Sequence, residues 1–581
     1  DLAFVTDRRW HKLISRSSGH GKPTNRRYLE VCVFSYLATE LRAGGVCVER
    51  SETFADYRKK LVPWKECKVL LPAYCERVGI PSTAKGFVDS LKTMLRDTAN
   101  KLDEEFPKHA GDVLLDSRGN ISVKRTTAKE VPASAIALQA ALESRIPARN
   151  ILDILANIEH WTGFTRHFGP ISGDEPKLRN ARERYLLTTF AIGCNLGPNQ
   201  AARHLSNGVT PHQLSYANRR HMSLDQLDGA CRDLAELYLQ LELPKVWGDG
   251  KKVAADGTQY DLFDQNLLAG MHFRYRKMGA VAYRHVADNY IAYFRHFIPP
   301  GMLEALYVIE GLLKTGLSVS PDTVYSDTHG QSETVFAYTY LSGITLMPRI
   351  RGWKDLHFYR PDKSTTYTHI NGLFTGDVDW QLIEDSFPDL MQVAISMQQG
   401  VVASPLLLRK LSAEGRNNQL FKASRELGRV LRTAYLLRWV GSKDMRQEVT
   451  GVTNKIESYH AFTKWLDFGG DVINENDPIE QQKRLRFLDL VASAVILQTT
   501  VDMMRALQAM YHAGEPVDVA DMAFLSPYGR HFKRFGNYLL DMKKAPESWV
   551  KEAIFRDAVK ESRKRATPEA AGSQSQADKR S

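Results

Sequence analysis

The stretch Lys252-Val253-Ala254-Ala255-Asp256-Gly257, taken with Thr323-Val324-Tyr325-Ser326-Asp327-Thr328-His329-Gly330, decides how the middle of the chain folds. Each is a short apolar run that ends on an aspartate followed by a glycine-bearing turn. A carboxylate where a buried strand ends reaches solvent while its backbone stays rigid, and a nearby glycine lets a ligand approach. Working outward, strand-like runs at His272 to Arg276 and Asn289 to Phe297 follow the first motif. Helical spacing over Gly301 to Thr315 precedes the second motif. A helix from Ser332 to Tyr340 and a strand from Thr345 to Ile350 come after it.

Three strands, a helix, a strand, a helix and a strand predict an α/β layer, in the order of an RNase H-like mixed sheet. The expected fold is multidomain, α plus α/β, with a helical insertion interrupting that core and all-α regions on either side. Residues 1–125 read as mostly helical, with Arg27 to Arg42 and Thr83 to Phe106 periodic and a hairpin at Asp112 to Lys124. Residues 126–245 read as a helical scaffold that includes Leu224 to Leu241. The core occupies 246–369, the insertion 370–450, and a helix carrying Glu457 lies in 451–510. A helical region at 511–565 and a polar tail at 566–581, expected to be disordered, complete the chain.

Lys and Arg number 78 against 67 Asp and Glu, a net charge of +11, which favours an anionic partner, with nucleic acid the commonest. At 43% apolar residues the chain can bury sizeable cores. Cys32, Cys47, Cys67, Cys75, Cys194 and Cys231 contain no CxxC pair, which fits thiols in a reducing compartment. No run of apolar residues predicts a membrane span. The sequence opens at Asp1 without an initiator Met, so it is expected to be a fragment.

Magnesium favours a few carboxylates plus water and phosphate oxygens. Asp256 and Asp327 are two such groups, and Glu457, in Asn454-Lys455-Ile456-Glu457-Ser458-Tyr459-His460, is a candidate third. It is expected to begin a helix and to share a face with His460 and Lys464. Competing carboxylates exist. Asp249 and Asp322 read as loop residues, Glu310 lies on a helix, and pattern alone does not choose Glu457 over Glu475 or Glu480.

Trp247-Gly248-Asp249-Gly250 followed by Ala255-Asp256-Gly257 resembles the first catalytic motif of the Tn-three family of replicative transposases. Ser326-Asp327-Thr328-His329-Gly330 resembles the second, and Asn454-Lys455-x-Glu457-x-x-His460 the third. Supporting matches are Trp161-Thr162-Gly163-Phe164, Gly193-Cys194-Asn195-Leu196-Gly197 and Ser404-Pro405-Leu406. Ile456 and Gln498-Thr499-Thr500 depart from the family pattern without removing a carboxylate. The resemblance implies that Asp256, Asp327 and Glu457 are the catalytic and metal-binding triad. It implies two Mg2+ ions, with Mn2+ able to substitute, and nicking at transposon 3′ ends followed by strand transfer. It further implies double-stranded DNA partners (terminal inverted repeats and target), a homodimer, a separate resolvase and a bacterial, nucleoid-associated cytoplasmic setting. The family's end-recognition domains would lie before Asp1. A non-catalytic DNA-binding regulator and a nuclease that only hydrolyses are the alternatives.

Secondary DNA contacts are also expected. Arg425, Arg429 and Arg432 fall at helical spacing within a basic run and form a face suited to phosphates, or else a solvated helix face. Arg274 and Arg276 alternate with aromatics on a strand, placing them near the site or on an exposed edge. His329 and His460 would position phosphate, water or an aspartate, with a structural hydrogen bond as the alternative for His329.

Overall fold

A computed structural model describes the chain except for residues 1–4, 6, 16–24, 44–45, 50–55, 110, 117–118, 125–129, 174–177, 263–269, 272–277, 299–306, 314–315, 402–417, 471, 474, 516, 531 and 550–581. The site is positioned by one mixed sheet. Its strands are β1 (Lys252–Leu262), β2 (Gly270–Met271), β3 (Met278–Ala287), β4 (Ala292–Ile298), β5 (Thr323–Ser326), β6 (Thr345–Pro348) and β7 (Val472–Ile473). The long strands lie in the order β4-β3-β1-β5-β6. β3 is antiparallel to β1 and β4, whereas β1, β5 and β6 run parallel. β2 joins the start of β3, and β7 pairs with the far end of β1 at Asp261 and Leu262.

β3 is the strand the sequence reading missed. Met278-Gly-Ala-Val-Ala-Tyr-Arg-His-Val-Ala287 is buried almost throughout, so it lacks the polar alternation that marks a half-exposed strand. Its Gly279 is dictated by packing, since a Cβ there would come within 2.4 Å of the Tyr260 carbonyl oxygen. The expected strand at His272 to Arg276, with Arg274 and Arg276, lies outside the described residues. So does the tail from Ala566. The other core elements fall close to expectation, with β4 starting at Ala292 rather than Asn289 and β6 stopping at Pro348.

Six helices matter to the site: α1 (Leu224–Gln240), α2 (Tyr307–Leu313), α3 (Glu333–Leu341), α4 (Gln419–Gly441), α5 (Lys443–Leu466) and α6 (Pro478–His512). α1 starts on a capping box in which Ser223 and Gln226 satisfy each other's backbone N–H. α6 is long and apolar enough to cross a membrane, yet its apolar window is wholly buried in the protein. It packs against α1, the helices Ile151–Thr162 and Ala181–Gly193, and β4. Gly193 permits one of these crossings, because a Cβ there would sit 2.8 Å from the Phe487 carbonyl oxygen. α4 lies against α3 and against Ala84–Glu105. The early hairpin forms as Val113–Leu115 with Ile121–Val123. Cys32, Cys67, Cys75, Cys194 and Cys231 are buried thiols, Cys47 is exposed, and all six are free.

Candidate active site

Register brings the two aspartates together. In the parallel pair of β1 with β5 the last matched residues are Ala255 and Ser326. The next residue on each strand is an aspartate. β1 continues past Asp256 to Leu262, whereas β5 stops, so Asp256 flanks the gap where Asp327 leaves the sheet. This differs from the expectation that the first strand ends at Asp256; its antiparallel pairing with β3 carries it onward. After Asp327 the chain makes a tight 3-10 turn, Thr328–Gln331, closed by the Gly330 N–H donating to the Asp327 carbonyl at 3.2 Å. A Cβ on Gly330 would come within 1.9 Å of Ser326 Oγ and 2.9 Å of its Cβ, so a side chain here would force Ser326 to shift. The backbone of His329 lies in the turn; its side chain lies outside the described residues.

α5 brings the third carboxylate. It starts at Lys443 behind an Ser442 cap, so Glu457 sits well inside the helix and does not begin it, contrary to expectation. The apolar run Val449, Val452, Ile456 and Tyr459 is buried and seats the helix on β1, β3 and β5. Two polar anchors set its position. Glu448 accepts from Lys252 Nζ and from Tyr325 Oη, the latter at 2.7 Å. Seven residues on, Lys455 donates to the carbonyls of Trp247 (3.1 Å) and Asp288, with its ammonium over the Tyr290 ring. Burial pushes the Lys455 amine down to about 8, against the pull of Asp288. Sequence reading missed this anchoring role, although Lys455 lay in the quoted motif.

The Trp247-Gly248-Asp249-Gly250 motif proves to be the other half of that anchor. A Cβ on Gly248 would fall 2.1 Å from Asp288 Cγ, and Gly250 holds a φ of +80° against Tyr293. Asp288 Oδ1 accepts from the Gly250 N–H at 2.9 Å. Asp249 is exposed and accepts from the Lys251 N–H at 3.0 Å, as expected of a loop residue.

The electrostatics follow from this convergence. Burial, then the charge of Asp327, pushes the Asp256 carboxyl up to about 7; Glu457 adds to the rise, while the Gly257 N–H (2.9 Å) and Arg349 oppose it. His460 Nδ1 lies 3.8 Å from Asp256 Oδ2. Burial, with the charges of Arg284 and exposed Lys464, pushes His460 well below its ordinary value, so the imidazole is neutral. Glu457 is 59% exposed, and its carboxylate lies 3.4 Å from Arg349 Nη1. Arg349 also donates to Thr453 Oγ1 and Asn454 Oδ1. It sits one residue past β6, and sequence reading did not single it out; an arginine directly after a buried parallel strand was the available signal.

The remaining candidates go elsewhere. Arg425 and Arg432 donate to Glu333 at 2.8 and 2.7 Å, and Arg429 pairs with Glu426 and lies 3.7 Å from Glu333. The three arginines of that α4 face thus share two carboxylates, Glu333 at the start of α3 and Glu426 of α4 itself. Glu480 and Glu310 are engaged elsewhere: the Glu480 carboxylate takes Asn218 and Lys483, and Glu310 borders a separate cavity of about 600 Å³ between α1 and β4.

The Tn3 transposase DDE domain matches residues 153–538, more than half of the chain. The chain belongs to that family. It is 30% identical over 550 residues to the transposase for transposon Tn501 of Pseudomonas aeruginosa, covering 92% of this chain and 54% of that protein. It is 26% identical to the transposase for transposon gamma-delta of Escherichia coli (strain K12), covering 93% and 54%. A further relative is the transposase for transposon Tn1546 of Enterococcus faecium, 26% identical, with 92% and 54% covered. The chain thus spans about half the length of the curated relatives it matches.

A DDE domain implies divalent metal, and the donor chemistry fits. Asp327 and Glu457 both raise the Asp256 carboxyl, and oxygen-only donor sets suit hard cations. Among the described residues no three His, Cys, Asp or Glu side chains already surround one point as ligands. Glu457 is instead turned to Arg349.

Proposed function

We propose that this chain is the catalytic part of a DNA transposase that nicks transposon 3′ ends and joins them to target DNA. The observation that carries it is the meeting of Asp256 and Asp327 at one sheet end, with Glu457 of α5 raising the Asp256 carboxyl. The strand order, with the second long strand antiparallel to the other parallel members, supports reading the core as RNase H-like. Asp256, Asp327 and Glu457 would hold two Mg2+ ions, or Mn2+ in their place. When bound, such ions stabilise charge on the attacking and leaving oxygens of an in-line displacement.

The protein's own part is positioning. Lys455 and Glu448 fix the helix that carries Glu457, and neutral His460 backs Asp256 without adding charge. Arg349, at the mouth of the site, offers a planar donor set to a phosphate once Glu457 turns inward. In the first step water attacks the phosphodiester at the transposon end and a 3′-hydroxyl leaves. In the second, that hydroxyl attacks a target phosphodiester and displaces the target's own 3′-hydroxyl, so one bond forms as one breaks. The relatives' names support transposons as the elements mobilised. We assign terminal inverted repeats and target DNA as substrates, a homodimer as the working form, a cointegrate product passed to a separate resolvase, and a cytoplasmic, nucleoid-associated setting.

The test is joining of a labelled pre-cut transposon end to plasmid DNA with Mg2+, using this chain and the complete gene product. Wild type should join and Glu457→Gln should not. Joining that survives the substitution moves the third carboxylate elsewhere. DNA binding without joining by wild type would leave a regulatory protein instead.

A further inference from the structure

Beside Glu457 a cavity of about 810 Å³ opens between the end of β6, the end of α4, α5 and the early hairpin. That is within the range of roughly 300–1,000 Å³ in which ligand-sized pockets fall. Its lining is unusual for a surface that only follows duplex phosphates. Lys124, Arg349, Arg351 and Arg446 supply positive charge against Glu457. Trp353 and Trp439 supply indole surface in the same cavity. The cations are not equivalent. Arg446 is buried and spends its guanidinium on the carbonyls of Trp439 and Val440, holding that wall in place. Arg351 and Lys124 are exposed at the rim. Trp439 is 6% exposed and braced by Tyr435, while Trp353 is only partly buried, on a short turn that touches the hairpin strand Ile121–Val123.

We propose that this pocket receives one nucleotide lifted out of the DNA stack beside the scissile phosphate; the inference rests on the reading of Asp256, Asp327 and Glu457 as the reacting centre. The base stacks on Trp353, with Trp439 as the inner wall, and its phosphate is held by Arg351 and Arg349. A duplex kept fully stacked presents mainly phosphate and sugar to such a surface and would not use the accessible face of Trp353, which is only partly buried. Stacking on an aromatic ring tolerates any base, so the pocket holds the strand without reading sequence. The fixed base also places its neighbouring phosphate at Glu457, which supplies orientation close to the reacting bond.

The test uses the complete gene product carrying Glu457→Gln, bound to a transposon end in which a thymine is walked through the positions around the cleavage junction. Permanganate oxidises unstacked thymine, so one position should become reactive on binding. Trp353→Ala in the same background should lose that reactivity, and Trp353→Phe should keep it. In the otherwise wild-type protein, Trp353→Ala should lower joining by about tenfold, within the ~1–3 kcal/mol that one base–aromatic stack contributes. An abasic nucleotide at the reactive position, which removes the cost of unstacking, should recover most of that loss. Absence of any reactive thymine in a complex that forms overturns the proposal, whether or not the protein joins DNA. Reactivity that persists in a folded Trp353→Ala protein overturns the assignment of the pocket. Failure of wild type to join while a thymine still becomes reactive strikes the transposase reading alone.

Discussion

Two groups of charged side chains lie on adjacent strands of the same sheet and are treated in opposite ways. In register, Asp256 of β1 faces Arg284 of β3. Arg284 nonetheless turns away to Asp489 of α6, at 3.0 Å, with both side chains wholly buried. Arg295 of β4 reaches the other oxygen of Asp489 at 2.9 Å and also meets Asp228, which pairs with Arg486. Every carboxylate there has a guanidinium. Across the strand, Asp327 and Glu457 both raise the Asp256 carboxyl, and Arg349, paired with Glu457 at the rim, opposes that rise. The Asp489 cluster is compensated by the protein's own arginines; in the proposed reading, the cluster around Asp256 is completed by a bound cation.

The sharpest break of that contrast is to neutralise one carboxylate from each group. Asp327→Asn should lower joining by on the order of 10³-fold or more, the scale for removing one member of a cooperating catalytic set, with little change in melting. Asp489→Asn should do the reverse in kind. It leaves Arg284 buried with no anion and Arg295 with Asp228 alone, a cost of about 3–5 kcal/mol, so folded protein should be lost or its melting temperature fall by several degrees. Equal melting of the two variants would erase the distinction between scaffold and site.

The next prediction concerns pH. The Asp256 carboxyl is near 7 in the folded protein and about 3.9 when unfolded. Between those values the folded state binds the extra proton, so stability from this group falls as pH rises from about 4 through 7. Asp256→Asn removes that loss. It should melt a few degrees above wild type at pH 8 without divalent metal, and level with it near pH 4. Added Mg2+ should raise wild type at pH 8 and the variant much less. A variant no more stable than wild type at pH 8 would mean the aspartates are compensated after all.

How legible this was depended on chain locality. Asp256, Asp327 and the turn glycines sit in short motifs that are weak signals singly, and it is the family resemblance that selects these carboxylates among their competitors. β3 did not stand out, because burial on both faces removes alternation, and Glu457's helix was started late, because Ser442 caps it well before the motif. Arg349 and Lys455 act through contacts with residues distant in sequence, which spacing does not reveal. The basic run of α4 predicts either a phosphate-tracking face or a solvated one, and nothing local announces that Glu333 will pair with it.

Lys455 is the intermediate case, a half-buried cation that grips carbonyls. Lys455→Met should loosen α5 over the Trp247–Asp288 corner. Joining should fall by about tenfold and the Mg2+ concentration for half-maximal joining should rise, as for a residue that positions another. Loss of melting temperature with unchanged Mg2+ dependence would reduce it to a packing residue.

The smallest effect should come from α4, where the sequence expectation and the ion pairing make opposite forecasts. Arg425 is 42% exposed and lies 2.8 Å from Glu333, a pair worth at most about 1 kcal/mol once solvent screening is counted. Arg432, at 13% exposure, holds the same carboxylate from deeper in the contact. If the face is scaffold, Arg425→Ala should change melting by about a degree or less and leave the salt dependence of DNA binding as it was. If the face tracks phosphates, the slope of log affinity against log salt should drop by about 0.9 for the contact removed. Glu333 already neutralises one of these arginines and Glu426 another, so the unchanged slope is expected, and Arg432→Ala should show its effect in melting rather than on DNA.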